Sequence, residues 1–246
     1  MGDSPLHAAA VLDVWEACRS EVPLRRAVML VAAAWPDRSA DEWAQASIGE
    51  RDRRLLRLRE ICFGTRLDGL ATCPRCQTDV EVTFDTRDVT CTAPDRQPPD
   101  TLHVRAAGYD IDLRLPTSAD LLSLTPVVSD VDGRALLATC VQQVRRDQAP
   151  CDVASLPGEV LAAIAEELSQ SDPQSDVQID LTCPGCHGVW AMPFDILAFV
   201  WSEVDEWAQR VLRQVHVLAR EYGWSERDIL AMSAGRRQLY LDTIES

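Results

Sequence analysis

Cys73-Pro74-Arg75-Cys76 and Cys183-Pro184-Gly185-Cys186 are the two stretches of this sequence that decide the predicted fold. A Cys-x-x-Cys turn places two thiolates on one metal ion, and two such turns complete a tetrahedral shell of four sulfur ligands. A long segment, residues 77–182, separates the two turns. We therefore predict that one structural Zn2+ joins distant parts of the chain through four ligands: Cys73, Cys76, Cys183 and Cys186.

Two other interpretations of the motifs stay open at this point. One is a redox pair, which is expected to open a helix inside a βαβ unit, and neither motif does. The other is a pair of surface turns. His187 follows Cys186 directly, but adjacent ligands strain the geometry, so we place it outside the ligand set. Because four cysteines fill every position, the predicted site activates no water and is structural.

Alternating residues next to each motif predict strands over residues 80–84, 177–181 and 189–194. The predicted fold class is α+β, with helical N- and C-terminal arms joined by a split four-cysteine zinc ribbon. A small α/β insertion lies between the two zinc knuckles, which are the two Cys-x-x-Cys turns. The predicted divisions are the N-terminal helical arm (1–66), the first knuckle and strand (67–90), the inserted hairpin-plus-helices domain (91–176), the second knuckle hairpin (177–194) and the C-terminal helical arm (195–246).

Capping residues and apolar periodicity predict the main helices of the two arms. Ser39 and Glu42 have the spacing of a capping box. A helix is predicted from Ser47 to Glu60, and a long helix from Asp195 to Tyr222. In the insertion we predict a hairpin over residues 102–115, and helices over residues 133–146 and 157–170.

Five arginines give the helix after Ser47 a basic face in an acidic chain: Arg51, Arg53, Arg54, Arg57 and Arg59. One interpretation is a solvated face with local acidic partners. The other is a docking surface for an acidic partner.

The two arms share a sequence pattern with constant spacing. The pattern is a capped short helix, a Ser-x-Gly corner and an arginine-bearing helix. Residues 39–55 show it once, and residues 225–241 show it again. It is either an internal repeat or two uses of the same capping chemistry.

The composition excludes several function classes. The 246-residue chain has a net charge of −15, which opposes binding to nucleic acid or to an anionic membrane. No apolar run approaches the ~18 residues of a membrane span, and no N-terminal signal is visible. We expect a cytosolic protein with reduced cysteines. None of the common catalytic motifs is present, so we expect no enzymatic activity.

Several stretches together carry a resemblance to a known family. They are CPRC with its following strand, DLRLPTSADLLSL (112–124), SDPQSDVQIDLTCPGC (171–186), FDILAFVWSEVDEWAQRVLRQVHVLAREYGWSERDIL (194–230) and SAGRRQLYLDTI (233–244). Together they resemble the T4-type phage baseplate hub assembly chaperone family. The chain is most similar to the branch associated with bacterial contractile injection systems. The resemblance extends over about residues 10–244.

The resemblance implies a non-enzymatic role in building the baseplate or hub, as a chaperone or as a component, with other baseplate, hub or tail proteins as partners. The four cysteines match the family's cysteine pairs. The terminal helical module is matched by Trp224, Ser225, Asp228, Ile229, Arg236, Arg237 and Tyr240. The candidate partner-binding residues are Trp201, Trp207, Trp224, Arg236, Arg237 and Tyr240, although each aromatic residue also falls on a helical apolar stripe and suits the core. The alternative function is a zinc-ribbon adaptor or a transcription-related regulator.

Overall fold

A computed structural model describes residues 8–91, 99–124, 133–147 and 149–244. The helices are α1 (Ala8–Cys18), α2 (Pro23–Ala34), α3 (Ala40–Ala44), α4 (Ile48–Phe63), α5 (Thr86–Val89), α6 (Ser118–Ser123), α7 (Arg134–Cys140), α8 (Gly158–Ser171), α9 (Ile196–Tyr222), α10 (Glu226–Leu230) and α11 (Ala234–Ile244). The strands are β1 (Arg66–Thr72), β2 (Asp79–Asp85), β3 (Leu102–Ala106), β4 (Tyr109–Leu113), β5 (Val141–Arg146), β6 (Ala149–Pro150), β7 (Gln178–Thr182) and β8 (Val189–Pro193). Short 3-10 turns occupy Val153–Ser155 and Pro173–Ser175. This mixture of helices and small sheets is an α+β fold, as the sequence predicts.

The two helical arms pack into one hydrophobic core around α9. This helix buries an apolar stripe at intervals of three and four residues, which is the spacing of one helix face. Asp195 caps its start by accepting a hydrogen bond from the Ala198 amide at 2.9 Å, and Gly223 ends it with a φ of 68°. The stripe packs against buried residues of α1, α2 and α4. Chain ends that are far apart in sequence therefore share one core.

Polar contacts also join the two arms. Trp15 on α1 donates its indole N–H to Asp205 on α9 at 2.8 Å. Arg59 on α4 donates two hydrogen bonds to the Glu203 carboxylate, each at 2.8 Å. The two hydrogen bonds of Arg59 tie α4 to α9 with the directional geometry of a bidentate arginine–carboxylate pair.

The insertion has a separate small core. Strands β3, β4, β5 and β6 form an antiparallel sheet in that order. Residues of α7 and α8 cover it, and Ile111, Leu113, Val160 and Ile164 lie at the centre. The fully buried Gln174, near the end of the insertion, hydrogen-bonds to the chain at the start of the insertion. Its side-chain amide donates to the Val89 carbonyl at 3.0 Å and accepts from the Cys91 amide at 2.8 Å.

The predicted helix over residues 133–146 is wrong in its second half. The helix stops at Cys140, and residues 141–146 form β5 along the edge of β4. Val141 and Val144 have helix-like spacing from Leu137, which explains the prediction. They are also β-branched, and Val144 pairs with Ile111 in the core of the insertion, so burial and sheet pairing decide the conformation.

Each knuckle lies at the tip of a two-stranded antiparallel hairpin. The second hairpin, β7–β8, agrees with the predicted strands. In the first hairpin the sequence predicts β2, whereas β1 was not predicted. Gly69 and Ala71 have low strand propensity, so β1 depends on its complete pairing with β2, from Arg66↔Asp85 to Thr72↔Asp79.

Among the helices of the described residues, none has both the length and the apolar character required to cross a membrane.

Candidate metal centre and partner surfaces

The two Cys-x-x-Cys turns adopt the same local conformation. In the first, the Cys73 amide donates to the Thr78 carbonyl and the Gln77 amide donates to the Cys73 carbonyl, both at 2.9 Å. In the second, the amides of Cys183 and His187 make the equivalent bonds, also at 2.9 Å. These bonds curl each turn so that its two thiols point to the same side.

The residue after each second cysteine has a left-handed backbone. Gln77 has a φ of 61° and His187 a φ of 55°. His187 therefore occupies a turn position, and its ring is not part of the cluster that the four cysteines form. This placement agrees with leaving His187 out of the ligand set.

The fold brings together the sulfur atoms of the four cysteines, all within 4.8 Å of one another: Cys73, Cys76, Cys183 and Cys186. The Cys73–Cys186 distance is 3.8 Å and the Cys76–Cys183 distance is 3.5 Å, measured between Sγ atoms. A tetrahedral centre with Zn–S bonds of ~2.3 Å has sulfur–sulfur edges of about 3.8 Å. The four thiols therefore have the arrangement that a tetrahedral metal ion requires, and they can bind one.

Hydrogen bonding moves two thiol pKa values in opposite directions. Hydrogen bonding to Thr78 lowers the pKa of Cys76 to about 6. At Cys186 the Gly188 amide favours the thiolate, but hydrogen bonds with the neighbouring thiols, beginning with Cys76, and burial outweigh it and raise the pKa to about 11. Four thiolates in one site repel one another, and a divalent cation removes that repulsion.

Side chains and glycines of one knuckle contact the other. A Cβ added to Gly188 would lie 3.4 Å from Arg75 Cδ and 3.3 Å from Cys186 Sγ. A Cβ added to Gly185 would lie 3.7 Å from the Thr78 hydroxyl. Gly188 thus allows the knuckles to approach closely, whereas a methyl group at Gly185 would make ordinary van der Waals contacts.

An aromatic contact joins the bases of both hairpins to α9. Phe84, at the end of β2, meets Phe194 edge to face with ring centroids 5.5 Å apart. Phe194 in turn contacts Phe199 on α9 at 5.3 Å. The four-cysteine cluster is thereby held at a fixed place relative to the main core.

The candidate partner-binding residues occupy different environments. Trp201 and Trp207 are partly buried and pack against the main core, and the Arg26 guanidinium lies 4.5 Å from the Trp201 ring centroid. Arg237 is buried. Trp224 and Tyr240 are also partly buried against the main core, and their rings meet edge to face at 4.8 Å. Arg236 is the exposed residue of the predicted set.

The arginines of α4 do not form a single exposed basic face. Arg51 and Arg59 each expose only 3% of their surface. Arg51 pairs with Asp52 at 2.6 Å, and Arg59 pairs with Glu203 at 2.8 Å. The prediction of a solvated face is wrong for these two residues, because their charges are neutralised inside the fold.

The remaining three arginines of the helix are also engaged. Arg53 lies 3.7 Å from Asp172, Arg57 lies 3.0 Å from Glu60, and Arg54 stacks on Trp35 and Trp43. An exposed basic face made by all five arginines would have favoured the adaptor alternative, and α4 does not provide one.

One junction was not anticipated from the sequence. The buried Asp172, at the end of the insertion, accepts a hydrogen bond from the Gly49 amide at 2.8 Å. Serine, aspartate and proline at residues 171–173 predict only a helix end, and no local pattern indicates a contact with α4. Only the tertiary structure reveals this junction.

The comparison with protein families places this chain beside a known family. The family model described as T4 bacteriophage base plate protein matches residues 30–199. The match begins within α2, ends within α9 and includes all four cysteines. A search of curated proteins and a search of solved structures each give no match.

A match of this extent defines the class of the protein, which is a member of a baseplate-related family with an α+β fold. The chain belongs to the T4 bacteriophage base plate protein family.

Proposed function

We propose that the protein acts without catalysis in the assembly of the baseplate or hub of a contractile tail, as a hub assembly chaperone or as a permanent component. The tail we propose is that of a phage-tail-like contractile injection system. The family match over residues 30–199 is the observation that supports this proposal most directly. Its partners are then other baseplate, hub or tail proteins.

The proposed cofactor is one structural Zn2+ bound by the four cysteines. The tetrahedral spacing of the thiols supports a single four-coordinate ion, and a shell of four thiolates suits zinc. All four positions of such an ion are occupied by protein, so it supplies stability rather than an activated water. The function then resides in the surfaces that the centre holds in place.

The charge of the chain supports a protein-binding role. A net charge of −15 keeps a protein with exposed apolar anchors in solution. The same charge opposes an electrostatic attraction to nucleic acid.

Deletion of the gene, followed by electron microscopy of the particles, tests the assembly role. We expect few complete tails in the deletion strain, and recovery when the wild-type gene is supplied on a plasmid. Complete and functional tails in normal number in the deletion strain would contradict the role.

Mass spectrometry of purified particles separates the two forms of the proposal. A permanent component is expected in every particle at a fixed ratio to the other baseplate proteins. A chaperone is expected in the producing cells and absent from finished particles.

A further inference from the structure

A cavity of about 700 Å³ lies between α4 and the insertion. Its walls come from α4, from the loops on either side of α3, and from three segments of the insertion (99–100, 114–117 and 171–172). Five of the lining side chains are arginines: Arg38, Arg53, Arg54, Arg57 and Arg114. In a chain with a net charge of −15, this concentration of guanidinium groups in one concave site favours an anionic occupant.

Two adjacent arginines of α4 have donors without acceptors in the part of the chain that the structure describes. Arg53 lies 3.7 Å from Asp172, which is too long for a hydrogen bond, and its Nε atom is buried with no hydrogen-bond partner. The guanidinium of Arg54 contacts only the rings of Trp35 and Trp43, 5.1 and 5.6 Å from their centroids. A guanidinium has five N–H donors, and a buried donor without an acceptor is unfavourable. An acceptor that enters the cavity removes this deficit.

The tryptophan rings hold Arg54 in place before any occupant arrives. Trp43 exposes only 2% of its surface and belongs to the main core. Arg38 also lies over the Trp43 ring, 4.8 Å from its centroid, and pairs with Glu50 at 3.2 Å. A side chain that is already ordered loses little conformational entropy when it binds. The donors of Arg54 are therefore preorganised for an acceptor.

The balance of charge around the cavity indicates which anion fits. Four carboxylates also line it: Glu50, Glu60, Asp100 and Asp172. Five arginines and four carboxylates give the lining a formal charge of +1, which a single carboxylate of an occupant neutralises. A phosphate group with two charges would exceed this balance. Apolar surface from Leu56, Pro99 and Leu115 suits a peptide better than a free inorganic anion, and a cavity of this volume has room for more than one side chain.

We infer that this cavity docks an acidic segment of another baseplate protein, whose aspartate or glutamate side chain accepts hydrogen bonds from Arg53 and Arg54. This inference rests on the proposed assembly function and specifies the surface and the chemistry of the partner. Because α4 and the insertion form opposite walls of the cavity, the bound segment contacts both and stabilises their relative placement.

Substitution of Arg54 tests the charge of the occupant in the deletion strain. Arg54→Gln removes the donors, and Arg54→Glu also repels the partner's carboxylate. We expect complete tails to fall roughly tenfold with Arg54→Gln, because a buried charge pair loses one member, and further with Arg54→Glu.

Arg19 provides the matched control, because its guanidinium also lies over a tryptophan ring, 4.9 Å from the centroid of Trp15, and does not line the cavity. Arg19→Gln and Arg19→Glu should restore tails as the wild type does. Each Arg54 variant loses the same kind of arginine–tryptophan contact as its Arg19 counterpart, so the melting temperatures of the two should be similar. Equal tail numbers for the two sets of variants would contradict the inference.

A photo-crosslinking amino acid at Gln45 identifies the occupant in producing cells, since Gln45 is exposed and lines the cavity. We expect a cross-linked peptide of another baseplate protein that contains aspartate or glutamate, and a lower yield when Arg54→Glu is added. The same amino acid at Gln209, which is exposed on α9 outside the cavity, should not capture that peptide. Cross-links confined to this chain or to a second copy of it would contradict the inference.

Inorganic phosphate separates a peptide site from a site for small anions. It should change the melting temperatures of the wild type and Arg54→Gln equally, and a rise confined to the wild type would contradict the inference. Wild-type tail numbers with Arg54→Glu, in a strain where deletion abolishes tails, would contradict the docking inference alone. Normal tails in the deletion strain itself would contradict the proposed function, and the docking inference with it.

Discussion

At the residue scale, Asp52 shows how burial and charge oppose each other. Burial raises the pKa of the Asp52 carboxyl to about 6, although the Arg51 guanidinium favours the carboxylate. Asp172 and Asp195 raise the pKa further by repulsion. Ionisation of Asp52 at neutral pH is therefore less favourable in the folded state than in the unfolded state, and it lowers the free energy of unfolding.

This pKa predicts a pH-dependent stability. Since the folded-state value exceeds the unfolded-state value of about 3.8, protonation favours the folded state. The stabilising contribution is complete below pH 3.8 and is lost as the pH rises through about 6. Relative to Asp52→Asn, the wild type should lose about 2 kcal/mol of unfolding free energy between pH 4 and pH 7. Urea unfolding of both proteins across this range measures the difference, and a difference that does not change with pH would contradict the prediction.

At the element scale, most of the helices and hairpins depend on local patterns. Ser39 and Glu42 form the predicted capping box, and the long C-terminal helix starts and ends where Asp195 and Gly223 indicate. These elements were predictable because short-range hydrogen bonds and apolar periodicity determine them.

The elements that the sequence did not predict depend on distant residues. Strand β1 exists through its pairing with β2, and β5 through its pairing with β4. Likewise, the cysteine pairs were recognisable from their spacing, whereas the burial of Arg51 and Arg59 depends on how α4 meets the insertion and α9. Tertiary pairing of this kind has no local sequence pattern.

The cap of α9 provides a prediction at this scale. Asp195→Ala removes the acceptor for the Ala198 amide and should lower the unfolding free energy by about 1 kcal/mol. Asp195→Ser retains an acceptor and should behave almost as the wild type does. Chemical denaturation distinguishes the two variants, and equal stability of all three proteins would show that the cap contributes nothing.

At the scale of the whole molecule, Arg59 links the two arms. The guanidinium is buried, pairs with Glu203 on α9, and also donates to the backbone carbonyls of Gly64 and Arg66. Removing one partner from a buried pair leaves groups without their hydrogen bonds in a low-dielectric environment.

Arg59→Ala should therefore lower the unfolding free energy by about 3 kcal/mol, and the double change with Glu203→Ala should cost less than the sum of the single changes. Arg66→Ala, which breaks the exposed pair with Asp68, should leave the unfolding free energy almost unchanged. A double-mutant cycle measures the coupling, and additive losses at Arg59 and Glu203 would contradict a direct link.

The four-cysteine centre closes the fold by joining the two hairpins that lead into the two arms. Native mass spectrometry of the intact chain tests this centre most directly. We predict one zinc ion per chain in the wild type and in Cys151→Ser, a change outside the cluster. Cys183→Ser should lose the ion and melt at a lower temperature. A wild-type chain without metal, or a Cys183→Ser chain that retains both its zinc and its melting temperature, would contradict the account.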